Sequence, residues 1–422
     1  MARENAVAVE PPTIDAARMW TEYVRARRPV VLDGLLDDES WKGASWDLDT
    51  LKARAGDAVI MVEPVHPTEG IFGTGTPRVK MTFGEYIDKL RDPAQRGKYY
   101  LTTQYGLDED DEQEDEDAGP VLDPLFPSPT HKLRGEFPPH PRILGDLVLQ
   151  QCNLWLGNST AGTTSGLHHD FHDNLYLLLR GRKRFVLFPP SAHEHLHVRG
   201  DVTAVHKNGL IVYGNGDIRA DGLTELDAAH WRVAARAHAL HHPSTKRSKG
   251  TESVREAYEK AKAAYREMVR GEDEEEDEDE EEDEEPGEVG DCDDAEDGTG
   301  IDGEDILLAL DSQERKEPDS FSLIKPHVLH AYFGLEQASG AHEGESPVPG
   351  KGCCAPLVVE LRAGQMLYLP ASWFHEVTST ADDTAHIAFN YWMHPPDGTE
   401  HAYADTEVWD AHRRAVNNAL EN

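Results

Sequence analysis

Short apolar runs, each closed off by glycine, asparagine or proline, set the strongest limit on how this chain can fold. They begin at Asp146 with DLVLQQCNLWLG, NLYLLLR and KRFVLFPP, and resume after a long charged stretch with PLVVELRAG, QMLYLP, HEVTST and HIAFNYWMHPP. Runs of this length with turn residues between them read as strands of a sandwich or barrel. Neither cluster has strands enough to close alone, so one β domain split by an insertion accounts for both. Upstream, helical spacing over Thr13 to Arg27 places Ile14, Ala17, Trp20 and Val24 on one side. Strands are expected in RPVVLDGLL, Ala58 to Val65 and Lys98 to Leu107, and a helix in TFGEYIDKLRD with Thr82 as its N-cap. The expected plan has four parts. Residues 1–107 hold helices and strands packed on the core, and 108–142 form an acidic, Pro-rich connection. The β domain spans 143–400, interrupted by a charged, largely disordered insertion over 201–318, and 401–422 form an amphipathic C-terminal helix.

Charge separates core from insertion. The formal net charge is -39, concentrated in three blocks: Asp108 to Asp117, Glu272 to Glu285, and Asp291 to Asp305. Such blocks repel themselves and bury too little apolar surface to offset the entropy of ordering, so they read as disordered. Between the second block and the strands before it, Glu252 to Arg270 has helical spacing. This balance argues against direct nucleic-acid binding, which needs clustered Lys and Arg, and would attract a basic protein partner, although each block taken singly reads first as a solvating loop. No apolar run approaches the length of a membrane span, and the N-terminal residues lack the apolar core of a secretory signal. The four cysteines, Cys152, Cys292, Cys353 and Cys354, form no CxxC pair and suit reduced thiols in an intracellular protein, nuclear or cytoplasmic.

The chemistry is concentrated in SGLHHDFHDNLYLLLRGRKRFVLFPP, Ser165 to Pro190. His168 and Asp170 stand two apart, so on an extended strand both point to one face. Two imidazoles and a carboxylate on one face of an octahedron leave three positions open, the arrangement an oxygen-activating ferrous site requires. The third ligand must come from elsewhere, and His375 in AGQMLYLPASWFHEVTS opens a strand after a Pro turn. Lys183 enters an apolar strand just after the Gly181 turn. An unpaired ammonium buried there is costly, and a dicarboxylate with one end on the metal would offset that cost. His169 and His172 miss the spacing and read as facing away or lining an entrance; His327 and His330 read as packing residues.

With these residues the chain resembles the JmjC/cupin-8 family of Fe(II)- and 2-oxoglutarate-dependent oxygenases, especially its small JmjC-only proteins and the asparaginyl hydroxylase acting on hypoxia-inducible factor. The family's HxD falls on His168 and Asp170, its distal histidine on His375, and its cosubstrate lysine on Lys183, fifteen residues after His168. The resemblance further implies cosubstrate-binding roles for Tyr100, Ser165, Asn174 and Asn390. It implies a fold that is mainly β with flanking helices, built on a double-stranded β-helix (jelly-roll/cupin) core. Its implied cofactors are Fe(2+) and 2-oxoglutarate with O2 as cosubstrate, its substrate a protein side chain, and its oligomer a homodimer through the C-terminal helix, with packing of that helix on its own barrel the equal alternative. Glutamines that contact substrate in the asparaginyl hydroxylase are replaced after Tyr100 by Thr102 and Thr103. Hydroxylation is the leading expectation. Histone lysine demethylation is the alternative enzyme reading, and a non-catalytic acidic binding protein for basic partners the alternative of another class. A cupin isomerase acting on a sugar would not need Lys183 and Tyr100.

Overall fold

The computed structural model describes residues 6–67, 69–72, 76–104, 124–214, 216, 218–242, 251–282, 318–335, 346–382 and 384–421. The N-terminal part supplies strands β1 (Ala8–Glu10), β2 (Val30–Leu32), β3 (Val59–Pro64), β4 (Val79–Thr82) and β5 (Tyr99–Leu101), with helices α1 (Ala16–Met19), α2 (Leu48–Ala55) and α3 (Phe83–Arg91). The first strand cluster becomes β6 (Leu149–Gly157), β7 (Thr163–His168), β8 (Asp173–Arg180) and β9 (Arg182–Phe188). A ribbon of β10 (Val202–Val205) and β11 (Ile211–Tyr213) follows, then helices α4 (Glu225–His241), α5 (Thr251–Glu282) and α6 (Pro326–Phe333). The second cluster gives β12 (Leu357–Arg362), β13 (Gln365–Leu369), β14 (Phe374–Thr380) and β15 (His386–Met393), before helix α7 (Thr406–Glu421).

Local chemistry explains the element ends. The Thr82 hydroxyl accepts from the Glu85 amide at 3.2 Å while the Glu85 carboxylate accepts from the Thr82 amide at 2.8 Å, a reciprocal cap on α3. The helix expected over Thr13 to Arg27 is shorter in its α-helical part. Asp15 caps α1, the chain widens to a π-helical turn over Trp20–Val24, and Arg27 at φ 52 ends it.

The sheets correct the expectation of a closed double-stranded β-helix. One nine-stranded sheet has the order β1-β2-β13-β8-β15-β6-β5-β3-β4, and a separate four-stranded sheet has the order β12-β9-β14-β7. Each order is linear with two ends, and among the described residues no ladder joins an end of one sheet to an end of the other, so the sheets are not closed into a barrel. Alternation tells which side chains face inward but not whether edge strands meet, which is why the short runs fitted a barrel and a sandwich equally. With the helices included, the molecule is a mixed β/α protein. Successive strands alternate between sheets: β6 and β8 are in the large one, β7 and β9 in the small. Their inward faces share a core, with Tyr176, Leu367 and Leu369 from the large sheet against Phe185, Leu187 and Val377 from the small.

Gly181 makes the tightest of these crossings, at φ +82 between β8 and β9. A Cβ there would stand 2.6 Å from the Thr380 carbonyl oxygen and 2.6 Å from the His386 Cβ. Gly181→Ala is therefore expected to cost about 2–3 kcal/mol, combining left-handed backbone strain with overlap. Urea unfolding checks this; a cost below about 0.5 kcal/mol, the range of an ordinary surface change, would refute it.

By compactness the chain divides into a sheet-bearing unit, Met1–Gly222, Lys316–Ala404 and Ala415–Asn422, and a helical unit, Leu223–Arg315 and Asp405–Arg414. In the helical unit, α4 is capped by Thr224 and Asp227, and Arg232 donates to Asp405 at 2.9 Å. The span 201–318, expected to be largely disordered, thus holds β10, β11, α4 and α5. The second acidic block is helical up to Glu282. Glutamate's intrinsic helix propensity and propagation from the preceding AYEKAKAAYREMV sequence favour that continuation. Asp108 to Asp117, the last three residues of the second block and Asp291 to Asp305 lie outside the described residues.

Candidate metal centre

The site forms on the inward face of the small sheet. β14 pairs antiparallel with β7 so that His375 stands directly opposite His168, their ring centroids 4.3 Å apart. β7 ends at His168, so Asp170 reaches the site from the following loop and not from the strand, as the i, i+2 argument had it. The loop is fixed by the Ser372 amide donating to the Asp170 carbonyl at 2.8 Å. Asp170 Oδ2 then lies 3.6 Å from His375 Nε2, and Oδ1 4.0 Å from His168 Nε2. One ligand atom from each of these three residues falls within 4.8 Å of the others.

The backbone orients the imidazoles. His168 Nδ1 lies 3.2 Å from the Gly166 carbonyl and His375 Nδ1 2.9 Å from the Trp373 carbonyl. A carbonyl only accepts, so each Nδ1 carries the hydrogen and each Nε2 lone pair faces the shared point. Burial, then the neighbouring His375, hold His168 well below the usual histidine range, which keeps it in the neutral form a metal needs. His169 turns the other way, its Nε2 2.7 Å from the Tyr213 hydroxyl. His172 stacks on Trp392 at the cleft wall. His330 supports the ligand strand through Glu376, 3.0 Å away.

Behind the triad lies a cavity lined by Ser165, Asn174, Tyr176, Lys183, Trp155 and Phe72 among others. Lys183 is 3% exposed and opposite Ser379 on β14, four residues from His375. Its Nζ donates to the Tyr100 hydroxyl at 2.9 Å and lies over the rings of Tyr176, Tyr100 and Trp155 at 4.8, 5.6 and 5.8 Å. Burial pushes its pKa down to about 7. Among the described residues no carboxylate pairs with it, so the cavity presents a desolvated amine in need of an anion, and a dicarboxylate chelating the metal fits.

Asn174 lines the cavity, its Oδ1 accepting from Asn390 Nδ2 at 3.0 Å; Asn390 Oδ1 accepts from Trp155 Nε1 at 2.9 Å. Ser165 lines it too, but its hydroxyl is engaged, donating to the Gly166 carbonyl at 2.9 Å and accepting from the Val377 amide at 3.2 Å. Tyr100 stands behind Lys183, stacked on Phe72 at 4.0 Å. The sequence reading missed His386, which lies 2.9 Å from the Tyr100 hydroxyl. A histidine opening an apolar strand carried the same signal of costly burial as Lys183. It also missed Tyr176, although Tyr176 sits two residues after Asn174 and so on the same face.

On the open side of the triad is a cleft walled by Phe126, Phe171, Phe321 and Trp392, with the amides of Gln104, Gln150 and Gln151 among its lining. No helix among the described residues is long and apolar enough to cross a membrane.

Comparison with known proteins agrees with this geometry. Residues 16–399 match the model of the cupin-like domain. The JmjC domain-containing protein 4 of Schizosaccharomyces pombe is 37% identical over 95% of this chain and 88% of its own length. The JmjC domain-containing protein E of Dictyostelium discoideum is 25% identical over 45% of this chain, and the tRNA wybutosine-synthesizing protein 4 of Neurospora crassa 27% over 43%. The chain belongs to the cupin-like domain family, as a JmjC-type Fe(II)- and 2-oxoglutarate-dependent oxygenase.

Proposed function

We propose that the protein hydroxylates a side chain of another protein, with His168, Asp170 and His375 holding Fe(II) and Lys183 receiving the far carboxylate of 2-oxoglutarate. One observation carries this reading: a two-histidine, one-carboxylate triad lies between a mostly apolar cavity, where buried Lys183 meets no carboxylate among the described residues, and an open cleft. Iron with 2-oxoglutarate and O2 supplies the oxidising power for a C–H bond; the chain's residues bind, aim and exclude water. Asn174 and Asn390 steady the metal-proximal end of the cosubstrate. The Phe72 and Trp155 rings keep water from the cavity, and the Gln150 side-chain oxygen in the cleft, buried with no partner among the described residues, suits a main-chain amide of a polypeptide. The net charge of -39 favours a basic substrate protein by long-range attraction, and the free thiols suit a reducing compartment inside the cell.

The test is an iron-dependent release of succinate from 2-oxoglutarate, coupled to a gain of one oxygen atom on a protein from cell extract. Loss of a methyl group instead would replace hydroxylation by demethylation. A pH dependence follows from Lys183. With its pKa at about 7, the ammonium is in place below that pH and must be regained above it. Cosubstrate affinity is therefore expected to weaken as pH rises above about 7, by up to about tenfold per pH unit. Calorimetric titration of the metal-loaded protein across this range checks it, and an affinity flat with pH would exclude the ammonium as anchor.

A further inference from the structure

His168 and His375 are held by their strands but Asp170 is not, so its aim depends on what fixes the loop after β7. The anchored group is the Asp170 carbonyl. It accepts from the Ser372 amide at 2.8 Å and lies 3.4 Å from His169 Nδ1. A carbonyl only accepts, so Nδ1 carries the hydrogen. Burial pushes the His169 pKa down to about 3, so the ring is neutral and its Nε2 must accept, from the Tyr213 hydroxyl at 2.7 Å. The Tyr213 ring also stacks on the imidazole, 15° from parallel.

Ser372 is held in turn. It is fully buried at φ 61, a left-handed conformation that a residue with a Cβ keeps only where its surroundings fix it. Its hydroxyl accepts from the Ile211 amide at 2.9 Å. Ile211 and Tyr213 both belong to β11, so two routes of hydrogen bonds run from one short strand to one carbonyl. The loop is also pinned from just beyond the other end of the 201–318 insertion. The His169 amide donates to the Ser320 carbonyl at 3.3 Å, and the Ser322 amide to the Leu167 carbonyl at 2.8 Å. We propose that Tyr213 and Ser372 are positioning residues for the metal, aiming the Asp170 carboxylate from β11, so that the insertion splitting the β domain is part of the frame of the metal centre. This rests on the reading of His168, Asp170 and His375 as metal ligands.

The test titrates metal-free protein with cobalt(II), a coloured stand-in for iron(II), and records the visible ligand-field spectrum beside the affinity. Tyr213→Phe keeps the stacked ring and removes the hydroxyl. Ser372→Gly keeps the amide, suits φ 61 and removes the acceptor for Ile211. Each is expected to weaken cobalt binding about tenfold and to alter the spectrum, the effect of losing an outer partner of a metal ligand. Leu51→Ala opens a cavity beneath α2, whose residues line neither the cavity nor the cleft, and so lowers stability alone. Its cobalt affinity and spectrum should match wild type. Wild-type affinity and spectrum in Tyr213→Phe or in Ser372→Gly overturn the role given to that residue. Equal weakening in Leu51→Ala overturns the whole proposal, since loosening of the fold would then explain the loss. Wild-type protein that takes up no cobalt, or binding unchanged in His168→Ala, removes the reading of the triad instead.

Discussion

Arg27→Ala is expected to lower the folding free energy by about 3–5 kcal/mol, the cost of stranding a buried charge. Asp173 is 0% exposed, and the Arg27 guanidinium meets its two oxygens at 2.6 and 2.7 Å. The same carboxylate accepts from Tyr368 and from the Ala371 amide. Without the guanidinium, these neutral donors cannot compensate the desolvated charge. The pair also bears on the metal centre. Asp173 opens β8 three residues after Asp170, Ala371 lies in the turn before His375, and the Arg27 carbonyl accepts from Trp373 Nε1 at 3.2 Å. Loss of stability should therefore come with weaker metal binding. Guanidinium unfolding and metal titration check both; a loss under about 1 kcal/mol, as for an exposed pair, would show that Asp173 has other compensation.

The second large effect is on activity. His168→Ala or Asp170→Ala should reduce metal-dependent turnover of 2-oxoglutarate by more than about a hundredfold, since removing even an outer partner of a metal ligand costs ten- to a hundredfold. The fold should persist, because neither side chain belongs to the shared core of the sheets. The measurement is succinate formation beside circular dichroism. Turnover at the wild-type rate in either variant, with metal bound, would dismiss the triad as the reaction centre.

Much of the candidate site was legible because its residues break local rules. Lys183 interrupts an apolar strand, and a histidine and an acid two apart precede a strand that needs neither. Burying such groups is costly without a purpose, so each raises a question that sequence alone can pose. What sequence could not supply was adjacency across strands. The link from Tyr100 through Gly157 to His386 spans β5, β6 and β15, neighbours in space but far apart in the chain. Edge relations were hidden for the same reason, so a closed barrel was expected where two open sheets face each other. The cosubstrate role of Tyr100 came from the family pattern alone, because nothing local in KYYLTTQ shows that its hydroxyl meets Lys183 across the sheets.

The shared ladder of β9, β14 and β7 has one more consequence. His168 is fixed opposite His375, and Lys183 opposite Ser379, by main-chain hydrogen bonds within one sheet. The four-residue offset along β14 amounts to about 13 Å of backbone, which inward-leaning side chains and a short diacid must span. On the proposed reading of the cavity, strand register thus sets the chain length of the keto acid that can reach both groups. Substitutions that leave the ladder intact keep position 183 at the same remove from the metal centre, so only the side chain placed there can retune the span.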